Sequence, residues 1–393
     1  MWGDVLRPPL PVVGLVVLAL TMTSFMRGPL LPEIGHDLEL DAAQISLLTS
    51  AFAIGRLCMD LPAGRLADRL AAPVSLGAAG IVVAGSSAAV AVAGALGHLL
   101  AAMAFLGAGS ALANTTGMTV FSSQGPASSR GTAMALFSTA LMTGQMLGPA
   151  LAGLLADLTS WRAAQLAGVA AGLGAAGACL VVRRGAIRRA APRRSQPHPE
   201  LGAMGRVETA AIASVAFSGF FALGALPQTL LPVMFGAELS LSAGLIGLAL
   251  AAAGLARLLG GLVSGRVSDR VSRRAALIPM AVVMGLSIPL LALPPSAVAW
   301  LVALVVLAFC SSGVSVGATI VADRADPAVL GRRLGAFRLA GDAGLLVGPA
   351  VAGFVYEHAG RGEAMVAVSA VVLASAVACA LTVAESRPPG VAA

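Results

Sequence analysis

The chain has 393 residues, of which 58% are hydrophobic and 11% are charged, and its mean hydropathy is +0.91. Soluble domains carry about 25% charged residues, so this composition excludes a soluble globular protein and predicts an integral membrane protein. All 25 basic residues are arginine, and the formal net charge is +7. Because these arginines concentrate in the loops of one predicted side, they require no nucleic-acid partner.

The apolar stretches predict the helices. A bilayer core of about 30 Å requires roughly 20 apolar residues for each helical crossing. The first stretch follows Arg7 and lacks a small-residue cleavage site, so we interpret it as a helix and not as a signal peptide. In chain order, helices 1 to 12 are predicted at residues 10–31, 45–63, 74–96, 99–120, 133–155, 163–182, 209–232, 244–263, 275–293, 297–321, 334–355 and 364–384. The predicted fold class is an all-α membrane protein with twelve transmembrane helices.

The loops between these helices differ in arginine content. When both termini are placed in the cytoplasm, only Arg162 and Arg361 fall in outer loops, and all other loop arginines face inward. This asymmetry predicts a multi-pass protein of the cell membrane with both termini cytoplasmic. The longest polar segment, residues 183–208, is rich in arginine and proline and is predicted to be a cytoplasmic linker lying on anionic lipid headgroups.

The two parts of the chain beside this linker, residues 1–182 and 209–393, repeat each other. Leu-Leu-Pro at 30–32 recurs at 230–232, and Gly-Pro at 148–149 recurs at 348–349, both 200 residues later. The halves therefore predict two pseudo-symmetric bundles of six helices. Internal repeats of this kind are typical of transporters that work by alternating access, with the substrate site at the interface of the halves.

A second repeated motif follows helices 2 and 8, where GRLADR at 64–69 recurs as GRVSDR at 265–270. It resembles the signature loop of the major facilitator superfamily, and this resemblance extends over essentially the whole chain. It implies twelve helices and a conformational switch on the cytoplasmic side, in which Asp68 meets the start of helix 11 near Arg332 and Arg333. Ala72 and Pro73 stand where the second copy has Arg273 and Arg274, so the first switch is expected to be weaker. The expected switch residues are Gly64, Asp68 and Arg69, with Gly265, Asp269 and Arg270 in the second copy.

Helix 5 carries closely spaced glycines, Gly144 and Gly148, followed by Pro149. Glycines four apart permit close helix packing, and proline bends a helix, so the pattern predicts a packing hinge. It resembles the motif of the drug/proton antiporter branch of the superfamily, which implies export coupled to protons. Helix 11 repeats the pattern at Gly348 and Pro349. In helix 4, Met103 stands where such antiporters usually carry an arginine.

Ionisable residues inside predicted spans are costly and are functional candidates by default. Arg56 and Asp60 lie one turn apart on helix 2, and Arg257 takes the place of Arg56 in helix 8. Three interpretations are open. Arg56 and Asp60 form a structural ion pair; or Asp60 carries a proton, since burial disfavours its charged form; or Arg56 and Arg257 bind an anionic substrate together.

Further candidates lie on other helices. Arg338 and Asp342 form a second pair one turn apart on helix 11, with a structural or a coupling role. Arg27 on helix 1 either extends toward the acidic loop that follows or faces the substrate cavity. The polar candidates for the cavity are Asn114, Gln145 and Gln228.

Other functional classes lack sequence support. The sequence has no phosphate-binding loop, no paired metal ligands and no nucleophile motif, and its four histidines lie outside the predicted spans. We therefore expect no enzyme and no cofactor, with the proton gradient as energy source. The predicted function is export of small amphipathic molecules by proton-coupled antiport, by a monomer in the lipid bilayer. The alternatives are an anion or organic-acid transporter, including one for uptake, and a receptor or scaffold with the same fold.

Overall fold

A computed structural model of the protein describes residues 10–123, 130–181, 206–324 and 330–383. Twelve helices in these ranges are long and apolar enough to cross a membrane, which confirms the predicted number. Helices 1 to 6 are Leu10–Phe25 with Arg27–Asp37, Ala42–Arg69, Ala72–Ala91, Leu96–Ser123, Arg130–Leu158 and Trp161–Val181. Helices 7 to 12 are Arg206–Ala225 with Leu226–Leu230 and Leu231–Leu239, Ala243–Arg270, Arg273–Ser287 with Ile288–Ala292, Ala297–Ser311 with Val314–Arg324, Leu330–His358 and Arg361–Thr382.

Several helices extend beyond their predicted ends. Helices 2 and 8 continue to Arg69 and Arg270, so the expected switch loops are the last turns of helices. The reason is that a helix does not have to end at the first polar residue when its last turns project beyond the bilayer. For the same reason His36, His98 and His358 lie within terminal turns of the observed spans. The sequence analysis had placed them outside the spans, and that prediction is wrong.

Helices 1 and 7 are interrupted at matching positions. In helix 1 the break is at Met26, whose N–H donates to the carbonyl oxygen of Thr23 at 3.2 Å. Pro29 lies just beyond it and cannot donate the hydrogen bond that would continue the helix. In helix 7 a π-helical turn covers Leu226–Leu230 and begins with Leu-Pro. Breaks of this kind are frequent at functional sites.

The described residues form two compact contact units. Unit 1 contains the chain up to Leu40, the part from Ala51 through helix 6, and Ser240–Ala251. Unit 2 contains Asp41–Ser50, helix 7 through Leu239, and the chain from Ala252 onward. The units thus follow the repeated halves except that each takes a ten- to twelve-residue segment from the other half. Most of the predicted linker, residues 183–208, lies outside the described residues, and Arg206 already begins helix 7.

The same helix pairs pack closely in both units, and glycine makes this possible. In unit 1, a Cβ on Gly144 would come within 2.7 Å of the carbonyl oxygen of Leu18, so helix 5 lies directly on helix 1. In unit 2, a Cβ on Gly344 would overlap the carbonyl oxygen of Phe217, so helix 11 lies on helix 7 in the same way. Without water to drive association between membrane helices, such close packing is a main source of stability.

Large apolar side chains cover the surfaces that face away from these contacts. Leu15, Ile81, Phe105 and Leu381 are all exposed, with 62% to 80% of each side chain accessible. In a soluble protein such residues would form an aggregation surface, but on a membrane helix they face lipid chains. The buried faces combine large side chains such as Trp300 and Phe121 with glycines at the closest contacts between helix backbones.

Candidate functional site

Arg27 begins the second segment of helix 1 and is only 2% exposed. Its guanidinium lies 3.9 Å from the centroid of the Phe52 ring on helix 2. Nη1 donates to the carbonyl oxygen of Ser24 at 3.0 Å, a group near the break in helix 1. The side chain is therefore held inside unit 1, between helices 1 and 2. The contact is a cation on an aromatic face, which the sequence did not suggest. A role of Arg27 in a substrate cavity stays a prediction.

Arg56 lies one turn beyond Phe52 on helix 2 and is half-buried, as is Asp60. Arg56 therefore lies one helical turn from the ring over which the Arg27 guanidinium is placed. The helix is held tightly here, because a Cβ on Gly107 of helix 4 would overlap the carbonyl oxygen of Phe52. Unit 1 thus places arginines of helices 1 and 2 beside the same phenylalanine ring or one turn from it. Met103, at the position where the resemblance implied an arginine, is fully buried on helix 4.

The corresponding Arg257 is half-buried in helix 8 and belongs to unit 2. A Cβ on Gly260, one turn further, would overlap the carbonyl oxygen of Phe309 on helix 10. Helix 8 therefore packs on helix 10 as helix 2 packs on helix 4. A joint action of Arg56 and Arg257 on one substrate stays a prediction.

The π-turn of helix 7 is bonded to the first part of helix 2 inside unit 2. Thr229 donates to the carbonyl oxygen of Gly224 at 2.7 Å and also lies 2.9 Å from the hydroxyl of Thr49. Thr49 in turn donates to the carbonyl oxygen of Gln228 at 3.4 Å. Hydroxyl groups thus satisfy backbone carbonyls in the irregular turn, as an apolar environment demands. Gln228 was a predicted cavity residue, but the sequence did not indicate the π-turn, for which Pro227 was the available signal.

Helix 11 carries the second candidate pair. Asp342 is only 7% exposed, whereas Arg338 is exposed one turn earlier. Asp342 lies between Gly341, which faces the ring of Phe220, and Gly344, which packs on Phe217; both phenylalanines are on helix 7. The carboxyl group is therefore in the packed region of unit 2. Asn114 and Gln145, the other cavity candidates, are half-buried in unit 1.

The glycine motifs of helices 5 and 11 lie against neighbouring helices. Cβ atoms on Gly148 and Gly348 would overlap the carbonyl oxygens of Met22 and Phe221. Both helices run without a break through Pro149 and Pro349, so close packing is the observed role and bending stays a prediction. By contrast, Cβ atoms on Gly64 and Gly265 would meet no described atom within 4 Å. Close approach, the reason first given for these two glycines, stays a prediction.

The last turn of helix 8 belongs to an ion-pair network. Arg273 donates to Asp269 at 2.6 Å and to Asp323 at 3.0 Å, which joins the ends of helices 8 and 10. Arg274 donates to the carbonyl oxygens of Ala380 and Val383 at the end of helix 12. Arg69 and Arg270 are exposed. The expected contact of Asp68 with Arg332 involves side chains outside the described part of the chain.

The two arginines predicted to face outside have equivalent contacts. Arg162 pairs with Asp37 and donates to the carbonyl oxygen of Ala93 at 3.2 Å. Arg361 pairs with Glu238 and donates to the carbonyl oxygen of Ala292 at 3.3 Å. Arg162 thus joins the ends of helices 1, 3 and 6 in unit 1, and Arg361 joins the ends of helices 7, 9 and 12 in unit 2. The sequence identified these residues only as exceptions to the charge rule and gave no partner for them.

Several solved structures share this fold. A POT family transporter in complex with 5-aminolevulinic acid aligns with a TM-score of 0.78 at 12% identity, over 95% of each chain. A bacterial homologue of the human lysosomal transporter Spinster, inward-facing and unoccupied, aligns with a TM-score of 0.72 at 15% identity, over 96% of this chain and 97% of that chain. The human organic anion transporter MFSD10 (TETRAN) aligns with a TM-score of 0.66 at 18% identity, over 95% and 100%. At these identities the likeness is one of fold.

Sequence comparison identifies the family. No curated protein sequence matches the chain. The family model described as Major Facilitator Superfamily matches residues 13–242 and again residues 212–393. These matches cover nearly the whole chain and agree with its twelve helices and repeated halves. The chain therefore belongs to the Major Facilitator Superfamily, whose members are transporters and not enzymes.

Proposed function

We propose that this transporter exports small amphipathic molecules across the cell membrane by alternating access, in exchange for protons. The observation that carries the proposal is Asp342, a carboxyl group 7% exposed within the span of helix 11. An ionised acid at the centre of a membrane helix costs about 2.5 to 3.5 kcal/mol. Such a group can bind a proton in one conformation and release it in the other.

The position of Asp342 links a proton to helix movement. The residue lies beside Gly341 and Gly344, where helix 11 packs on helix 7. A change in the packing of these two helices would alter the solvation of the carboxyl group, and solvation controls its protonation. Asp60, half-buried on helix 2, is the second candidate for the proton, next to Arg56.

The direction of transport rests on the glycine motif. Gly144, Gly148 and Pro149 resemble the motif of drug/proton antiporters, and their contacts with helix 1 support a role in packing. The arginine asymmetry of the loops supports cytoplasmic termini in the cell membrane. Because each chain carries both repeated halves, the proposed transporter acts as a monomer. Its proposed energy source is the proton gradient, and it needs no cofactor.

A proton-flux assay in inside-out vesicles tests this proposal. A panel of amphipathic compounds is added to vesicles that are acidified inside and contain a pH-sensitive dye. We expect an active compound to release internal protons, and we expect Asp342→Asn to reduce that release at least tenfold while compound binding persists. Glu363→Gln, an exposed acid at the start of helix 12, is the matched control. Unchanged proton release in both Asp342→Asn and Asp60→Asn would remove these residues from the mechanism.

A second candidate function, transport of an organic anion, is favoured by Arg27. This buried cation lies over the ring of Phe52, which is one helical turn from Arg56 on helix 2, so unit 1 presents two positive groups and an aromatic ring in one region. Guanidinium groups bind carboxylates and phosphates in a bidentate manner.

Binding measurements separate the two functions. Purified protein is screened by thermal shift with carboxylates and phosphates, each compared with its neutral amide or alcohol. Anion transport predicts selective stabilisation by the anions, lost in Arg27→Gln and in Arg56→Gln but kept in Arg266→Gln, an exposed arginine on helix 8. Equal stabilisation by anions and neutral analogues would reject this alternative. Loss in Arg257→Gln as well would place that arginine in the same site.

A further inference from the structure

Two carboxylates exactly one repeat apart cap helices from the opposite half of the sequence. Asp157 ends helix 5, and its Oδ1 accepts the N–H of Gly244 at 3.0 Å while its Oδ2 accepts the hydroxyl of Ser242 at 2.7 Å. Glu357 ends helix 11, 200 residues later, and its Oε2 accepts the N–H of Ala42 at 3.1 Å. The groups that donate these bonds lie at the starts of helices 8 and 2, which begin at Ala243 and Ala42.

The carboxylates act on helix starts that also have caps of their own. The Ser242 hydroxyl accepts the N–H of Leu245 at 3.4 Å, and Asp41 accepts the N–H of Gln44 at 2.7 Å. The first turn of a helix has unsatisfied N–H groups and a partial positive charge. A negative charge from another helix therefore adds a bond that links two elements, which a local cap does not.

Glycine allows the approach at both places. A Cβ on Gly153 would overlap the carbonyl oxygen of Ala243, and a Cβ on Gly353 would overlap the hydroxyl of Ser46. Gly244 has no room for a side chain either, because its Cβ would overlap Oδ2 of Asp157. The start of helix 8 belongs to unit 1 and the start of helix 2 to unit 2. These capped starts are the two segments exchanged between the repeated halves.

We infer that Asp157 and Glu357 are a pair of positioning residues that hold one conformation of the transport cycle. Alternating access moves the helices of one half against those of the other. Bonds between helix 5 and helix 8, and between helix 11 and helix 2, join helices of different halves at the end predicted to face outside. They stabilise the conformation seen here and must break before that end can open. The inference rests on the proposed alternating access, and it requires neither export nor proton coupling.

A distance measurement tests the pair. Nitroxide labels are placed by Thr159→Cys and Ser240→Cys, two exposed positions beside the Asp157 contact, in a background with the exposed Cys58 replaced by serine. Double electron-electron resonance then reports the populations of short and long distances in nanodiscs, without substrate or gradient. An exposed charge at a helix terminus contributes enough for a shift of about twofold to fivefold in that ratio. We expect Asp157→Ala to raise the long-distance population by this factor.

The decisive variant is Glu357→Ala, which leaves the labelled region untouched. If both carboxylates hold the same conformation, removal of the Glu357 carboxylate also raises the long-distance population between the labels at 159 and 240. The double variant should then change the ratio of the two populations by the product of the single factors. Gly244→Ala should act like Asp157→Ala, because it displaces the carboxylate without removing it. Gly265→Ala and Glu363→Ala are the controls, and neither should shift the ratio.

Two results would overturn the inference. An unchanged ratio in the double variant would show that the bonds do not hold the conformation. A shift in Asp157→Ala without any shift in Glu357→Ala would show a local cap and not a pair. Circular dichroism melting of each variant confirms that the protein is folded. Because the measurement uses no substrate or gradient, it can succeed where the export assay fails, and the reverse.

Discussion

The outer ends of the two units, those predicted to face outside, are alike, whereas their inner ends, those predicted to face the cytoplasm, differ. At the outer ends, Arg162 and Arg361 each join three helices through an acid and a backbone carbonyl. At the inner end of unit 2, Arg273 joins helices 8 and 10, but the matching residue in unit 1 is Ala72. The repeat has therefore kept the contacts that assemble each bundle and lost one that fastens the signature segment.

The strongest test of the likeness is the glycine packing. Gly148→Leu and Gly348→Leu should each lower the free energy of unfolding by about 3 kcal/mol, because the side chain would overlap the backbone of Met22 or Phe221. Unfolding in mixed detergent measures the change. The controls are Gly177→Leu and Gly261→Leu, at which a Cβ would meet no described atom within 4 Å. Equal losses in the two units would support equivalent packing; a loss in only one would break the comparison.

The two outer ion pairs should contribute different amounts to the free energy of unfolding, although they join equivalent helix ends. In unit 2, Arg361 and Glu238 are 22% and 24% exposed; in unit 1, Arg162 and Asp37 are 40% and 45% exposed. Water screens the more exposed pair, so Arg361→Ala should cost about 2 kcal/mol of unfolding free energy and Arg162→Ala less. Thermal unfolding at low and high salt checks this. A larger loss of unfolding free energy in Arg162→Ala than in Arg361→Ala would contradict the screening argument. So would a loss in Arg162→Ala that is the same at low and high salt.

The inner network supplies the asymmetric test. Arg273→Ala removes bonds to Asp269 and Asp323 and should cost about 1 kcal/mol, since Asp269 is 71% exposed. Arg270→Ala, an exposed arginine in the same turn, is the control and should change stability little. Faster hydrogen exchange at the ends of helices 8 and 10 should accompany the loss. Unaltered exchange there would mean that the network does not join these helices in solution.

The features that the sequence predicted correctly depend on local pattern. Apolar length gave the number of helices, because each crossing needs a similar run of residues. The spaced glycines of helices 5 and 11 lie where a Cβ would overlap the backbone of helix 1 or helix 7. The pattern could not show that Gly148 faces Met22 while Gly153 faces Ala243, since one helix face contacts two different partners along its length.

The features that it missed arise from tertiary contacts. Helices 2 and 8 continue through the signature segments, and hydropathy does not indicate this because it marks only the apolar part of a helix. The caps by Asp157 and Glu357 join residues far apart in the chain, and hydropathy carries no signal for such pairs. The 200-residue spacing does carry one, because the two acids occupy equivalent positions at the ends of helices 5 and 11.

The smallest predicted effect concerns the breaks in helices 1 and 7. In helix 7 the Thr229 hydroxyl bonds Gly224 and Thr49, whereas the equivalent position in helix 1 is Pro29. Side-chain hydrogen bonds between membrane helices contribute about 0.6 kcal/mol on average, so Thr229→Val should cost roughly that amount of unfolding free energy. Thr139→Val, at an exposed threonine bonded to its own helix, is the control. A loss no larger than the control's would mean that Pro227 alone maintains the π-turn, as proline does in helix 1, and the two breaks would then have the same cause.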